Sequence, residues 1–562
     1  LICLLFCLSC MLCEERPKVI TRCGTVEGIY LQSRNGRNFS AFLNIKFAQP
    51  PIGSLRFEPP QPIVDCPDYV DASVEGPPCW QPNFNFPEIK KAYIGSEDCL
   101  SLNIYTPKVK SRSLLPVMVF FYNGGYVINS NSRLLYGPEY FMDEDVILVV
   151  PNNRQHILGY MSTEDYVVPG NMALKDQAAA LQYVHDNIKF FNGNPDLVTI
   201  FGESAGGSTV NLHMHSPLSK GLFKQAISQS ATASSSFSII GVGTSLKYTK
   251  SIAALVDCDT SNTQELVDCL RTKEAENLTK TYMDYLYTQK EPRALFRPVI
   301  ERKNVPGAFL NKSALVTKSK KPWMAGFTGK DSAAHYIGFV REGIEKALSR
   351  YEKEWDVLGP ISLRFDDTSS DPVKVAKRIK EYYFPNGFLK GNKDTLIDMY
   401  TNTYLVSPLI MDAHNNLAPT YVYVFDHFGE YTRAVLPKNE SIGRPIHGDD
   451  TMYLFVQESF FPNLKFNTTD LNISKLMVRL WVNFATYGNP TPKAGISKNP
   501  QDPTSCNIKW DKFGYRRNYL LIQTNKLSML RNLSADQHKF WMSLNITDKL
   551  RSNFDNRGYL KD

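Results

Sequence analysis

The sequence predicts an α/β protein with a large, mostly parallel central sheet that helices cover on both faces. Apolar runs of strand length at 117–122 and 146–150 are followed by 172–188, where apolar residues fall on one face of a helix. A further apolar run at 197–201 ends in Gly-x-Ser-x-Gly, and a helical pattern follows at 208–215. Strands that alternate with amphipathic helices favour a parallel sheet, and ligands bind such sheets at the carboxyl ends of the strands.

The composition is that of a globular protein and argues against nucleic-acid binding. The chain has 562 residues, 43% of them hydrophobic, and its 63 basic and 56 acidic residues give a net charge of +7. No run of five like charges occurs, so no basic stretch would follow a phosphate backbone. Because one large α/β core can hold a chain of this length, we expect a single domain over 14–562.

Residues 1–13 have the character of a secretory leader. They are almost entirely apolar, too few to cross a bilayer, and followed by the charged residues Glu14, Glu15 and Arg16. The alternative is a hydrophobic first helix of the mature protein. The segment 543–562 carries neither an apolar tail nor a retention signal of the endoplasmic reticulum. We therefore expect a secreted, extracellular product without a stable membrane anchor.

Cysteine and asparagine positions agree with an extracellular protein. Of the eleven cysteines four lie in the leader, which leaves an odd number, so at least one stays free or pairs outside the chain. Cys258 and Cys269 flank a short stretch and are candidates for a local loop closure. Eight Asn-x-Ser/Thr sequons predict glycosylation, and we expect only part of them to be used. They are Asn38, Asn277, Asn311, Asn439, Asn467, Asn472, Asn532 and Asn545.

The Gly-x-Ser-x-Gly stretch predicts a serine nucleophile at a tight strand-to-helix turn. In such a turn the serine backbone is strained and its hydroxyl stands clear of the sheet, while glycines two residues to either side relieve the crowding. Gly202 and Gly206 occupy those positions around Ser204. The bare pattern also occurs by chance in loops. Here a strand precedes it and a helix follows, and the N-terminal dipole of that helix would favour negative charge beside Ser204.

The glycines after the first of these strands predict an oxyanion hole. Acyl transfer builds negative charge on a carbonyl oxygen, and backbone N–H groups without side-chain bulk can approach it closely. Gly124 and Gly125, with the N–H of Ala205 after the nucleophile, would supply three donors. The alternative is a plain Gly-Gly turn.

Longer motifs are spread over nearly the whole mature chain. They are Gln-Pro-Pro-Ile-Gly-Ser-Leu-Arg-Phe at 49–57, Ser-Glu-Asp-Cys-Leu-Ser-Leu-Asn at 96–103, Gly-Asn-Met-Ala-Leu-Lys-Asp-Gln at 170–177, Phe-Gly-Glu-Ser-Ala-Gly-Gly at 201–207 and Trp-Val-Asn-Phe-Ala-Thr-Tyr-Gly-Asn-Pro at 481–490. Together they resemble the type-B carboxylesterase/cholinesterase family, and the chain is similar to secreted insect carboxylesterases. The resemblance implies an α/β-hydrolase fold, hydrolysis of a small-molecule carboxylic ester through an acyl-enzyme, and neither a metal nor an organic cofactor.

The same resemblance implies a catalytic triad in the chain order serine, acid, histidine. Ser204 matches the nucleophile, and His447 matches the base within 443–455, which is similar to the family's histidine loop. Asp331, in the segment 326–332, stands where the family usually has glutamate. His447 would accept the proton of Ser204 and return it to the leaving alkoxide, while Asp331 would hold the histidine tautomer. The alternative is that the shorter Asp331 only packs the strand end and leaves a weakened dyad.

The resemblance also implies pairs that hold the scaffold together. Two family disulfides correspond to Cys79–Cys99 and Cys258–Cys269. Two buried ion pairs of the family correspond to Arg56–Glu97 and Arg154–Asp176. A bridge between Cys23 and Cys66, which would leave Cys506 free, stays open at this point.

Some departures from the family bear on the substrate. Asn123 replaces one glycine of the oxyanion loop, although both donor positions remain and asparagine tolerates positive φ. The only tryptophan between Cys79 and Cys99 is Trp80, away from the position that binds quaternary ammonium in cholinesterases, so choline esters are not expected. Glu203 precedes the nucleophile where juvenile hormone esterases typically have glutamine. Aromatic walls of the substrate site are expected from Phe84, Phe86, Phe120, Phe121 and Tyr126.

These observations predict a secreted serine carboxylesterase that acts on apolar or aromatic esters. One alternative is a member with weakened catalysis that works as a binding or adhesion protein, and others are a juvenile-hormone-type esterase or a lipase. All three triad residues are present, which disfavours the binding protein, and no amphipathic lid supports a lipase. His213 and His215 lie on one predicted helix without partner ligands, so no metal site is expected.

Overall fold

The computed structural model describes residues 16–291, 293–436, 441–493 and 508–552. The expected leader at 1–13 lies outside these ranges, as do Asn439 and Cys506. The strands are β1 (Lys18–Thr21), β2 (Gly24–Glu27), β3 (Ile29–Gln32), β4 (Asn38–Lys46), β5 (Tyr69–Asp71), β6 (Gln81–Pro82), β7 (Tyr93–Ile94), β8 (Ser101–Thr106), β9 (Leu115–Phe121), β10 (Ile147–Pro151), β11 (Gly193–Glu203), β12 (Gln225–Gln229), β13 (Trp323–Thr328), β14 (Thr420–Phe425), β15 (Tyr519–Gln523) and β16 (Lys526–Leu530).

Eleven of these strands form one sheet in the order β16-β15-β14-β13-β12-β11-β9-β10-β8-β4-β3. The strands from β10 through β9 and β11 to β15 are parallel to their neighbours. At the two edges, β8, β4, β3 and β16 pair antiparallel. The predicted large, mostly parallel sheet is therefore confirmed. The outermost pairs β15–β16 and β3–β4 are antiparallel because short connections return the chain at once, as Thr524 and Asn525 do between β15 and β16.

Helices lie along the chain between the strands. They are α1 (Arg133–Tyr136), α2 (His156–Tyr160), α3 (Met172–Asn187), α4 (Ala205–His213), α5 (Thr244–Leu255), α6 (Thr263–Thr272), α7 (Ala275–Tyr287), α8 (Ala333–Glu342), α9 (Ile344–Ser362), α10 (Pro372–Tyr383), α11 (Lys393–Thr401), α12 (Ser407–Asn415), α13 (Thr468–Tyr487), α14 (Ala535–Met542) and α15 (Asp548–Ser552). A π-helical turn, Asn402–Val406, joins α11 to α12. None of the helices in the described ranges is long and apolar enough to cross a membrane.

Both faces of the central sheet are buried. Val117 and Val119 of β9 pack with Leu181 of α3 on one face, whereas Met118 packs with Trp481 of α13 on the other. Successive side chains of a strand point to opposite faces, so a strand covered on both sides must be apolar throughout. That requirement explains the uninterrupted apolar runs of the sequence.

The elements around Ser204 extend further than the sequence pattern indicates. β11 reaches Glu203, and α4 begins at Ala205 instead of the predicted 208. Glycine disfavours helix, which hides this helix start in the sequence. The structure uses the missing side chain for close packing, since a Cβ on Gly206 would lie 2.0 Å from the Phe121 carbonyl oxygen.

Covalent and ionic links join the outer segments to the sheet. The structure contains the disulfides Cys23–Cys66, Cys79–Cys99 and Cys258–Cys269. The ion pairs Arg56–Glu97 and Arg154–Asp176 close at 2.6 Å and 2.7 Å. The exposed sequon asparagines are Asn38, Asn277, Asn467, Asn532 and Asn545, and the half-buried ones are Asn311 and Asn472.

Candidate active site

Ser204 lies at the sharp turn between β11 and α4. Its backbone has φ 57° and ψ −126°, a conformation that non-glycine residues rarely adopt. The Ser204 N–H donates to the Gln229 carbonyl at 2.8 Å and so ties the turn to β12. Only glycine fits at the two flanking positions, because a Cβ on Gly202 or Gly206 would lie 2.5 Å or 2.0 Å from the Phe121 carbonyl oxygen.

His447 lies on the loop before the 3-10 helix Asp449–Tyr453 and bridges Ser204 and Asp331. Its Nε2 is 2.7 Å from Oγ of Ser204, and its Nδ1 is 2.5 Å from Oδ1 of Asp331. The backbone N–H of His447 also donates to the Asp331 carbonyl at 3.0 Å. The loop thus comes close enough for an aspartate to reach the imidazole without the extra methylene of glutamate.

The Asp331 carboxylate follows β13 and is fully buried. Its Oδ2 accepts hydrogen bonds from Ser230 Oγ at 2.6 Å, from the Thr328 N–H at 2.9 Å and from Thr328 Oγ1 at 3.0 Å. These donors leave Oδ1 to His447 and hold the carboxylate in one orientation. The sequence analysis did not identify Ser230 as a partner of the acid. The sequence could have indicated Ser230 through its position directly after β12, at the same sheet edge as Ser204.

Glu203 is a second carboxylate beside the imidazole. Its Oε1 lies 3.2 Å from Nε2 of His447, and its side chain is fully buried. Burial opposes the charge of His447, but the carboxylates of Glu203 and Asp331 outweigh it and raise the pKa of His447 to about 9. The imidazole is therefore held mostly in its charged form at neutral pH.

The loop after β9 presents backbone N–H groups next to Ser204. Gly124 and Gly125 have φ of 115° and 61°, and neither their N–H groups nor that of Ala205 donate to an acceptor in the described part of the chain. A Cβ on Gly124 would lie 2.2 Å from the Ile128 carbonyl oxygen, whereas a Cβ on Gly125 would meet nothing within 4 Å. Gly124 is thus required by packing and Gly125 by its backbone conformation.

Asn123 keeps the shape of this loop through its side chain. Asn123 does not have a positive φ. The tolerance of asparagine for positive φ, on which the sequence analysis relied, therefore does not explain the shape of this loop. Its Nδ2 donates to Oε2 of Glu203 at 2.5 Å, and its Oδ1 accepts from the Tyr136 hydroxyl at 2.6 Å and from Asn129. The asparagine therefore links the glycine loop to the carboxylate beside His447.

A cavity of about 290 Å³ opens onto Ser204, His447 and Asp331. It is lined by Gly124, Gly125, Tyr126, Val127, Ser204, Phe237, Ala294, Asp331, Ser332, Ala334, His335, Arg364, Tyr404, Leu405 and His447. The volume lies at the lower end of the range of about 300–1,000 Å³ that is usual for small-molecule sites. Of the five aromatic residues expected at the walls, only Tyr126 lines it. Phe86, Phe120 and Phe121 are core residues, and Phe84 is exposed.

The sequence analysis did not identify four larger side chains that line this cavity. Phe237, His335, Arg364 and Tyr404 come from four separate segments. No local pattern marks them, because Phe237 lies between β12 and α5, His335 in α8, Arg364 just after α9 and Tyr404 in the π-helical turn. Their convergence depends on the tertiary structure alone.

The described residues contain no group of three or more His, Cys, Asp or Glu side chains that could hold a metal ion. His213 contacts Ser219 Oγ at 2.6 Å and Gln177 Oε1 at 3.0 Å, and Nδ1 of His215 lies 2.7 Å from Oγ1 of Thr317. Burial lowers the pKa of His213 to about 3, so its imidazole is neutral and serves packing.

Comparisons with known proteins extend over most of the chain. A profile of the family described as "Carboxylesterase family" matches residues 15–541. The chain is 35% identical over 519 residues to "Juvenile hormone esterase" of Tribolium castaneum, covering 88% of this chain and 87% of that protein. It is 34% identical over 511 residues to "Esterase FE4" of Myzus persicae, covering 87% of this chain and 88% of the relative. The solved juvenile hormone esterase from Manduca sexta, with OTFP covalently attached, superposes with a TM-score of 0.81 at 26% identity, covering 94% of this chain and 99% of that one.

Proposed function

The chain belongs to the carboxylesterase family and is a carboxylic ester hydrolase with the α/β-hydrolase fold, and from this premise we propose that Ser204, His447 and Asp331 form its catalytic triad. The observation that carries the proposal is the continuous contact from Oγ of Ser204 through the His447 ring to Oδ1 of Asp331, with 2.7 Å and 2.5 Å between the heavy atoms. The 2.7 Å between Oγ of Ser204 and Nε2 of His447 is within the range for direct proton transfer between a nucleophile and its base.

The proposed reaction has two halves. Neutral His447 takes the proton of Ser204 as Oγ attacks the ester carbonyl, and the N–H groups of Gly124, Gly125 and Ala205 stabilise the oxyanion. The imidazolium then protonates the leaving alkoxide, which leaves an acyl-enzyme on Ser204. In the second half His447 activates a water molecule in the same way, and the acid product leaves. No metal or organic cofactor takes part in these steps.

Active-site labelling tests this assignment. We expect a fluorophosphonate to modify the wild-type protein on the peptide that contains Ser204, and we expect Ser204→Ala to abolish both the adduct and the hydrolysis of a chromogenic ester. Ser251→Ala is the matched control, because its hydroxyl donates to the Lys247 carbonyl of the same helix. An adduct on another residue, or a Ser204→Ala protein with wild-type turnover, would place the chemistry elsewhere.

Juvenile hormone is a second candidate substrate. Two of the relatives, one solved and one known from sequence, carry the name juvenile hormone esterase. Hydrolysis of juvenile hormone by the purified protein, compared with an aryl hexanoate and with the Ser204→Ala blank, tests this candidate. A kcat/KM for the hormone well above that for the aryl ester would support it, and a rate at the blank level would dismiss it.

We also propose that the protein is exported and glycosylated. Support comes from its three disulfides, which are typical of proteins that fold in an oxidising compartment, and from five exposed sequon asparagines. Expression with residues 1–13 in an insect cell line should deliver the protein to the medium with N-glycans on part of the sequons. Retention in the cells without glycans would contradict the proposal.

A further inference from the structure

Arg364 lines the active-site cavity in a conformation that arginine rarely adopts. It follows helix α9 with φ 61°, and its N–H donates to the Ile361 carbonyl at 3.2 Å. This is the left-handed position beyond a helix end where glycine is strongly preferred. Non-glycine residues with such strained backbones cluster at functional sites, so the conformation of Arg364 beside the cavity points to a functional role.

No acidic side chain in the described part of the chain neutralises the positive charge of Arg364. Two other arginines lie near it, but each has its own acid, with Arg293 paired to Asp366 at 2.5 Å and Arg297 to Asp367 at 2.8 Å. No carboxylate lies within ion-pair distance of Arg364 among the described residues. Among the described residues, the guanidinium of Arg364 is therefore a positive charge in the cavity lining without an ion-pair partner.

The neighbours of Arg364 do not remove this charge. Burial, together with the adjacent arginines, lowers the pKa of Arg364, while the Tyr404 hydroxyl beside it acts in the opposite direction. That hydroxyl donates its own proton to the Ser362 carbonyl, so only its lone pairs face the guanidinium. His335 stacks on Tyr400 and packs at an angle against Tyr404, and burial lowers its pKa to about 4, so it is neutral at physiological pH.

The charges on the other side of the cavity are already paired. Asp331 contacts His447, so the only acidic side chain of the lining is not available to Arg364. The lining also includes the apolar side chains of Val127, Phe237 and Leu405. The cavity thus combines a reactive serine, apolar side chains and a guanidinium without an acid among the described residues.

We infer that the guanidinium of Arg364 binds a carboxylate of the substrate, so that the enzyme prefers monoesters of dicarboxylic acids, in which methylene groups separate the ester from an ionised carboxyl group. The inference rests on the ester hydrolysis proposed for Ser204. Arginine suits this role because its planar fork binds a carboxylate through two parallel hydrogen bonds and stays charged at any physiological pH.

The test compares two esters of equal chain length. These are mono-para-nitrophenyl adipate, which carries the carboxylate, and para-nitrophenyl hexanoate, which does not. Wild type should hydrolyse the adipate monoester with the higher kcat/KM. In Arg364→Gly the ratio of the two kcat/KM values should fall about 10- to 100-fold, the range expected for loss of a charge-assisted hydrogen bond.

Arg364→Gly suits the test because glycine is the residue that this backbone conformation favours, so the fold should be retained. Arg364→Lys should keep an intermediate ratio, since it retains the charge without the fork. Arg112→Gly is the matched control, because Arg112 is exposed and precedes β9, whose other end leads into the cavity. A wild-type ratio in Arg364→Gly, or an equal loss on both esters, would overturn the inference.

Binding without turnover separates this inference from the proposed function. The adipate dianion should bind the Ser204→Ala protein in calorimetry and lose at least tenfold in affinity when Arg364→Gly is added. If Ser204→Ala still hydrolyses esters, the proposed nucleophile is wrong whatever the adipate result. If Ser204→Ala is inactive and adipate binds both proteins equally, only the role of Arg364 is wrong.

Discussion

At the scale of single residues, the imidazole of His447 is shared between two carboxylates and one hydroxyl. Nε2 faces both Oγ of Ser204, at 2.7 Å, and Oε1 of Glu203, at 3.2 Å, while Nδ1 faces Asp331. A general base must be neutral to accept a proton, yet both carboxylates favour the charged ring. The raised pKa of His447 therefore lowers the fraction of neutral base at neutral pH. The same carboxylates stabilise the imidazolium that forms in the transition state.

This arrangement predicts the pH dependence of hydrolysis. Because the pKa of His447 is raised to about 9, wild-type kcat/KM should rise with pH and level off only above about pH 9. Glu203→Gln removes the largest charge that favours the imidazolium, so the midpoint of the profile should move to lower pH and the plateau should fall. The check is the pH profile of kcat/KM for a neutral ester.

The matched control for this profile is Glu381→Gln, which removes an exposed carboxylate from the end of α10. It should leave the midpoint where the wild type has it. An unshifted midpoint in Glu203→Gln would mean that the charge of Glu203 is not felt at His447.

Asp331, the proposed acid of the triad, leads to a second prediction at this scale. Asp331→Asn should lower kcat by about 10⁴-fold, because a neutral amide no longer holds the histidine tautomer or stabilises the imidazolium. The measurement is turnover of a chromogenic ester, with the thermal unfolding midpoint recorded to exclude loss of the fold. Asp268→Asn, at an exposed position on α6, is the control. A rate within tenfold of wild type would assign the acid to another residue.

At the scale of elements, the turn between β11 and α4 depends on how closely the helix approaches β9. Gly206 leaves no room for a methyl group beneath the Phe121 carbonyl, so the start of α4 can lie directly against the strand end. This contact sets the height of Ser204 above the sheet. The two strands of the site, β9 and β11, are adjacent and parallel, and their loops therefore meet at one edge.

Gly206→Ala should disrupt this contact. The added Cβ would lie 2.0 Å from the Phe121 carbonyl oxygen, and both atoms belong to rigid elements, so we expect a loss of about 3 kcal/mol in unfolding free energy and of nearly all activity. Chemical denaturation and ester turnover are the measurements. Gly338→Ala in α8 is the control, because a Cβ there meets nothing within 4 Å, and it should stabilise by up to about 1 kcal/mol. Equal stability of the two variants would contradict this account.

At the scale of the whole molecule, buried polar links join the helix layer to the sheet. Arg154, just beyond β10, donates through Nε and Nη2 to both carboxylate oxygens of Asp176 on α3, at 2.9 Å and 2.7 Å. Their side chains are only 5% and 0% exposed. In such a place the ion pair is needed mainly because either partner alone would be a buried, uncompensated charge.

Arg154→Met should therefore destabilise the protein by about 3–5 kcal/mol, since it leaves the Asp176 carboxylate buried without its partner. Lys377→Met is the control, because its pair with Asp356 is 58% and 53% exposed and should contribute less than about 1 kcal/mol. The measurement is the unfolding free energy by urea denaturation. A small effect of Arg154→Met would mean that water reaches Asp176 in the folded state.

The sequence by itself determined the features whose causes are local. The central strands are visible because burial on both faces makes them apolar throughout, and the glycine pattern around Ser204 is visible because its steric reason spans five residues. The glycines after β9 are likewise visible in the sequence because the reason for them is local. The resemblance to a known family then supplied His447 and Asp331 as candidates for the base and the acid.

Only the tertiary structure decided which distant groups act on these residues. It brings Ser230 to the Asp331 carboxylate, puts Glu203 next to His447 and, among the described residues, leaves Arg364 in the cavity lining without an acid. No sequence pattern marks such contacts, because they join loops and helix ends that follow different strands. Hydrogen bonds and charge interactions act over a few ångströms in space, whereas the periodicities of helices and strands act only along the chain.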